Sequence, residues 1–171
     1  IDKKEGSIYI IHSYAADKNR LQADGLNPIK GTKYILDAID MLNNEGYRIH
    51  LINPTNINQK DMRFLQLQAD FCVEELFYGW WGSTPLECAA LGVPSILYID
   101  PKFEEYWYTN FPEFKGYIPF LNTTHNNIYS NIKLLCDNPD ILDDLSRKSL
   151  IFAEKFLDPL KNAQSLLSIL K

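Results

Sequence analysis

The 171-residue sequence predicts an α/β fold, a doubly wound parallel sheet flanked by helices, on three observations. Short β-branched and aromatic runs alternate with segments of helical period, the order that builds βαβ units. With 46% hydrophobic residues, 9 Pro, 8 Gly and no repeats, the composition is that of a globular chain. At this length a single domain buries roughly two-thirds or more of its unfolded surface, enough for a real core.

The elements follow in order. Residues 1–6 (IDKKEG) are polar and read as a linker; residues 7–13 (SIYIIHS) read as the first strand. A polar loop follows, long enough to suggest a functional role. Lys30-Gly31-Thr32 opens a helix whose apolar stripe is Ile35, Ala38, Ile39 and Leu42, the i, i+3, i+4, i+7 pattern, closed by residues 43–46 (NNEG). Residues 47–53 (YRIHLIN) form a second strand, 58–69 a polar helix, 70–76 (DFCVEEL) a third strand, 85–91 a short helix and 94–99 (PSILYI) a fourth strand. A helix over 103–109, a strand over 117–121 and a helical tail over 126–171, broken near Pro139 and Pro159, complete the chain. Residues 7–171 thus read as one Rossmann-like domain.

Charge and motifs narrow the function. A net charge of −5 argues against a nucleic-acid binder, yet Lys18, Arg20, Lys30 and Lys33 face only Asp24 between positions 18 and 33. A basic patch on an acidic protein points to a small anionic ligand. Cys72, Cys88 and Cys136 are far apart among apolar neighbours, as buried thiols in a reducing cytoplasm would be. No stretch approaches the roughly 18 unbroken apolar residues of a membrane span, and no signal peptide is visible. Starting at Ile1 with a polar hexapeptide, the chain reads as a domain cut from a longer protein. No HExxH, DxD or paired-His spacing occurs, so no bound metal is expected; nor is there a GxGxxG or P-loop.

In open α/β sheets ligands bind beyond the carboxyl ends of the strands, at helix N-termini. Two junctions qualify: the basic loop ending at Gly31, and residues 79–84 ahead of the short helix. Gly82, Ser83 and Thr84 offer N–H donors at a helix start, with Pro85 suited to the first helical position. Glu87 has two readings. With Thr84 as N-cap, Thr84-Pro85-Leu86-Glu87 is a capping box; otherwise Glu87 faces a ligand. Trp80 and Trp81 either pack at the mouth of the sheet or stack on a base or sugar. Lys30 and Arg20 are solvated loop charges or ligand contacts. Ala89 and Ala90 let the helix lie close to the sheet, Gly92 suits the residue after the helix and Pro94 stops it. His12 and His50 fall in strands, and His125 in a polar turn.

The run ADFCVEELFYGWWGSTPLECAALGVPSILY resembles the donor-site segment of GT-B-fold glycosyltransferases of family 4, and especially its bacterial cell-surface-polysaccharide branch. The opening IIHSYAADKNR with PIKGTKYILDAIDMLNNEGYRIHLI is similar to the same family. This resemblance implies the C-terminal half of a GT-B fold, binding a nucleoside-diphosphate sugar and completed by an N-terminal acceptor domain. It implies retaining, metal-independent transfer without a cofactor, in the cytoplasm and possible contact of the whole enzyme with the inner membrane face. Lys30 of the KG motif, with Arg20 upstream, would neutralise the diphosphate; Gly31 follows in the motif. The backbone of Gly82, Ser83 and Thr84 would cap the phosphates, and Glu87 would take the ribose hydroxyls.

One departure matters. The family has Glu, seven residues, Glu, the first holding the transferred sugar, where this chain has Gly79. The branch with Gly-Trp-Tyr-Gly shares that loss. Gly79 and Trp81 are the sugar-side candidates; of Glu74 and Glu75, which strand geometry points to opposite faces, only one could substitute. Rival expectations are a non-catalytic scaffold module and a GT-B-fold nucleotide-sugar epimerase, which would want further acid/base groups in the cleft.

Overall fold

The computed structural model describes residues 2–13 and 29–169. Among them are strands β1 (Ile8–Ile11), β2 (Ile49–Ile52), β3 (Phe71–Val73), β4 (Ser95–Leu97) and β5 (Phe120–Asn122). The helices are α1 (Thr32–Asn44), α2 (Gln59–Gln66), α3 (Ser83–Ala90), α4 (Pro101–Asn110), α5 (Ile128–Asp137), α6 (Pro139–Phe156) and α7 (Pro159–Ile169). All pairings are parallel and the strand order is β2-β1-β3-β4-β5. The chain is therefore a Rossmann-like α/β domain, as its alternating pattern predicts.

The central strands are short, apolar and covered on both faces, which is how parallel sheets occur. Side chains alternate between two cores because the strand period is two. Ile10, Phe71, Val73 and Ile96 face α1 and α5, meeting Ile35, Ala38, Ile39, Leu42, Ile132 and Leu135. Tyr9, Ile11 and Cys72 face the other way, toward Cys88 and Val93. Further along that face Leu97 and Ile99 join Trp81, Phe120 and Phe152. The apolar stripe expected on α1 is the buried one.

Helix ends differ from expectation in two places. α3 begins at Ser83 with Gly82 as its N-cap, so Pro85 is the third helical residue, not the first. A proline is tolerated there because the first four N–H groups of a helix have no intrahelical acceptor. α4 begins at Pro101 rather than residue 103, since the Asp100 side chain accepts from the Lys102 N–H at 2.8 Å and caps the helix. The expected breaks at Pro139 and Pro159 are the first residues of α6 and α7. After α3 Gly92 takes the expected left-handed position, φ +71, with the N–H groups of Gly92 and Val93 closing on the carbonyls of Ala89 and Cys88.

Cys72 and Cys88 are fully buried. Cys136 is half-buried, and burial first, then the nearby Asp137 charge, pushes its thiol from the usual 9.0 up to about 11. Two consequences can be measured. Because only the thiolate reacts, alkylation of Cys136 should keep rising about tenfold per pH unit from pH 8 to 10, where a thiol of pKa 9.0 would level off. Phe152→Ala should cost about 3–5 kcal/mol in urea unfolding, against less than about 0.5 kcal/mol for the exposed Phe64→Ala.

Candidate functional site

The order β2-β1-β3-β4-β5 reverses direction between β1 and β3, and there the crossover helices diverge and leave a crevice at the carboxyl edge. A cavity of about 250 Å³ lies at this switch point, lined by Ile11, Ser13, Cys72, Ser83, Thr84 and Glu87 among others. Ser83 and Thr84 are the first two residues of α3, so the N-terminal end of that helix borders the space. A helix N-terminus carries unpaired N–H donors and the positive end of the dipole, a setting for an anion. Glu87, one turn further along, supplies a carboxylate to the same cavity. Cys72 floors it as a neutral thiol, its pKa raised well above the usual value by its hydrogen bond with Cys88 and then by burial.

Glu87 is not a capping-box residue. With Gly82 as N-cap, the box position is occupied by Pro85 and the N-cap has no side chain. Instead, Gln66 Nε2 of α2 donates to Glu87 Oε2 at 3.1 Å. Gln66 is itself buried. The same carboxylate borders a second hollow of about 360 Å³ between α2 and α3, with Gln59, Arg63 and Gln66. Gln66 and the Glu87 it orients are 21 residues apart, and the polar-helix pattern of residues 58–69 gave no signal for this contact.

Lys30 is not a solvated loop charge. Its Nζ donates to Glu74 Oε2 at 2.7 Å, and the two side chains are only 8% and 4% exposed. Glu74 and Glu75 are both buried, Glu74 against Lys30, so Glu74 offers no exposed carboxylate to a sugar. The segment around Lys30 is tied down further. The Leu76 and Phe77 N–H groups donate to the carbonyls of Lys30 and Ile29. His12 places Nδ1–H on the Val73 carbonyl at 2.8 Å, which leaves Nε2 to accept from the Thr32 hydroxyl at 2.9 Å. Gly31 has φ +69, and a Cβ there would come within 3.0 Å of Leu76 and Phe77. Lys33 pairs on the surface with Asp37. The two described cations of the expected basic patch are therefore each matched by a carboxylate; Lys18 and Arg20 lie outside the described residues.

Gly79 has a physical reason to be glycine. Its φ is +82, where side chains are strained, and a Cβ would stand 3.0 Å from the Cβ of Asp100. A glutamate here would take a strained backbone and require Asp100 to give way by a few tenths of an ångström. Asp100, which follows β4, is the residue a Cβ at position 79 would meet first; as a sequence feature its Asp-Pro pair signals only a helix cap. Trp81 is 6% exposed and packs into the core with Phe120 and Trp107, whereas Trp80 lines an open cleft with Asp100. The switch-point cavity thus unites Ser83, Thr84 and Glu87, and its lining does not include Gly82, the N-cap just before them, nor Lys30, Gly31, Gly79 or Trp81. Among the described residues no group of three or more His, Cys, Asp and Glu side chains could hold a metal ion, and no helix is long and apolar enough to cross a membrane.

The Rossmann-like fold built this way is similar to that of part of a solved glycosyltransferase. WaaG, described as a glycosyltransferase involved in lipopolysaccharide biosynthesis, superposes with a TM-score of 0.57 at 13% identity, over 88% of this chain and 44% of WaaG. This chain spans less than half of WaaG's length. No family model matches the sequence, and no curated protein does.

The burial of the Lys30–Glu74 pair sets its energetic consequence. Lys30→Met or Glu74→Gln alone should each destabilise the chain by about 3–5 kcal/mol, because the other charge is left buried. In urea unfolding the double variant should lose less than the sum of the two by about 0.5–3 kcal/mol; additive losses would show that the ions do not stabilise one another. Gly79→Ala should cost about 1–3 kcal/mol through its left-handed backbone.

Proposed function

We propose that this chain is the donor-binding half of a glycosyltransferase, holding a nucleoside-diphosphate sugar at the β1/β3 switch point. The observation that carries the reading is the 250 Å³ cavity with a helix N-terminus on one wall and Glu87 on another. A diphosphate suits the N–H groups of residues 82–84. A carboxylate can accept from two vicinal hydroxyls at once, which suits Glu87 to the ribose, and Gln66 holds it ready. The N-terminal end of α3 supplies positive potential at the departing diphosphate, the kind of preorganised stabilisation that group transfer requires; Lys30 is matched by Glu74 and lies outside the cavity, and Arg20, outside the described residues, is the remaining candidate cation. The likeness to WaaG, a glycosyltransferase, supports the class. Acceptor-side catalytic groups belong to a second domain, transfer is retaining and needs no metal or cofactor, and the product is a bacterial polysaccharide or glycoconjugate assembled on the cytoplasmic side.

A non-catalytic module of the same fold is the second reading. It is favoured by one observation, that Gly79 has neither the backbone nor the room for the carboxylate the family carries there.

Calorimetric titration with UDP, GDP and ADP separates the two. Binding of one of them in the micromolar to low-millimolar range is expected; binding of none would sink the donor reading. Glu87→Gln should weaken that nucleotide about tenfold or more, the value of hydrogen bonds to a charged group. Its stability should stay within about 0.5 kcal/mol of the parent, since Glu87 caps no helix.

A further inference from the structure

The hollow of about 360 Å³ between α2 and α3 is made by two helix faces. Gln59, Arg63 and Gln66 follow one another at i, i+4 and i+7 along α2, and Glu87, Ala90 and Leu91 at i, i+3 and i+4 along α3 and its C-cap. Each set therefore shares one side of its helix. Gln66 is 1% exposed and donates to Glu87 Oε2 at 3.1 Å, which fixes the carboxylate on one wall. Arg63 stands on the other helix, exposed. The two opposite charges line one space without meeting: among the described residues Glu87 accepts only from Gln66, and the Arg63 guanidinium has no partner. Ala90 and Leu91 complete the lining with an apolar surface.

We infer that this hollow binds a zwitterionic α-amino acid with an apolar side chain. A simple anion drawn to Arg63 would also face Glu87, and a simple cation drawn to Glu87 would also face Arg63, so each meets repulsion. A molecule carrying both charges a few bonds apart matches both walls. Its carboxylate takes the guanidinium in the two-pronged geometry that arginine favours, and its ammonium donates to the Glu87 oxygen that Gln66 leaves open. The Gln59 and Gln66 amides add donors and acceptors, while Ala90 and Leu91 give an apolar side chain a surface to cover. The volume falls within the roughly 300–1,000 Å³ of small-molecule sites. Because Arg63 is exposed, its charge is partly screened by water, and the affinity is modest, in the millimolar range. The assignment shares Glu87 with the switch-point cavity, yet it stands on the charges of the hollow and does not require the donor reading.

Titration of the 171-residue chain with millimolar leucine, methionine and valine, followed by amide NMR, provides the test. Saturable shifts at residues 63, 66 and 87 are expected with at least one of them. N-acetyl-leucine, which lacks the ammonium, and leucinamide, which lacks the carboxylate, should each bind about tenfold more weakly than leucine or worse. Arg63→Gln and Glu87→Gln should each weaken leucine by a similar factor, with the same spectra reporting that the fold is kept, and Lys102→Gln should change nothing. Absence of saturable shifts with all three amino acids, equal binding of either single-charge analogue, or binding that survives Arg63→Gln overturns the assignment. Arg63→Gln should also leave nucleotide affinity within about twofold, as independent sites do; a loss as large as that of leucine would put the hollow inside the donor site and overturn the assignment too. Nucleotide binding without amino-acid binding would sink this inference and leave the donor reading intact; amino-acid binding without nucleotide binding would do the reverse.

Discussion

An ammonium and a carboxylate 2.7 Å apart, almost out of contact with water, hold the working edge of this domain together. Neither ion could be buried alone, since an uncompensated charge in the interior costs several kcal/mol. Lys30 lies just before α1 and Glu74 just after β3, so the core closes at this edge only when the two junctions meet. His12, between the Val73 carbonyl and the Thr32 hydroxyl, makes the same connection from β1. The backbone bonds from Leu76 and Phe77 to Lys30 and Ile29 make it a third time. Residues 75–82, which lead from this clamp to α3, then run past the positions from which the switch-point cavity and the cleft beside Trp80 open.

That arrangement divides the rim by chemistry. Near β1 and β3 the lining is a helix N-terminus, a hydroxyl pair and a carboxylate, suited to an anion carrying a diol. Past β4 it is aromatic with one carboxylate. Trp80 and Trp81, adjacent in the chain, serve different ends: Trp81 is packed inside with Phe120 and Trp107, and Trp80 stacks on it and presents its other side to the cleft. A buried ring therefore fixes a half-buried one at the wall of the cleft.

The fold was legible because its signals are local. The stripe Ile35, Ala38, Ile39, Leu42 is buried as its spacing requires, the apolar runs FCV and SIL are the central strands, and Pro139 and Pro159 open helices. The sites were legible in part. Gly82, Ser83, Thr84 and Glu87 lie within six residues, so the turn of helix that joins them is itself a local structure. The start of that helix was misplaced by two residues, because Thr84-Pro85 is the stronger cap signal and Gly82 carries no side chain to announce itself.

From sequence alone, then, the order and type of elements and the position of the α3 junction were determined, since propensity, periodicity and capping act over a few residues. Only the tertiary structure decided what the charged groups do. Lys30 finds Glu74 across 44 residues and Glu87 finds Gln66 across 21, while Asp100 reaches Gly79 from the junction between β4 and α4. No local pattern encodes such pairings. They follow from which strands lie side by side, and from the rule that a charge brought into the interior must meet its partner there.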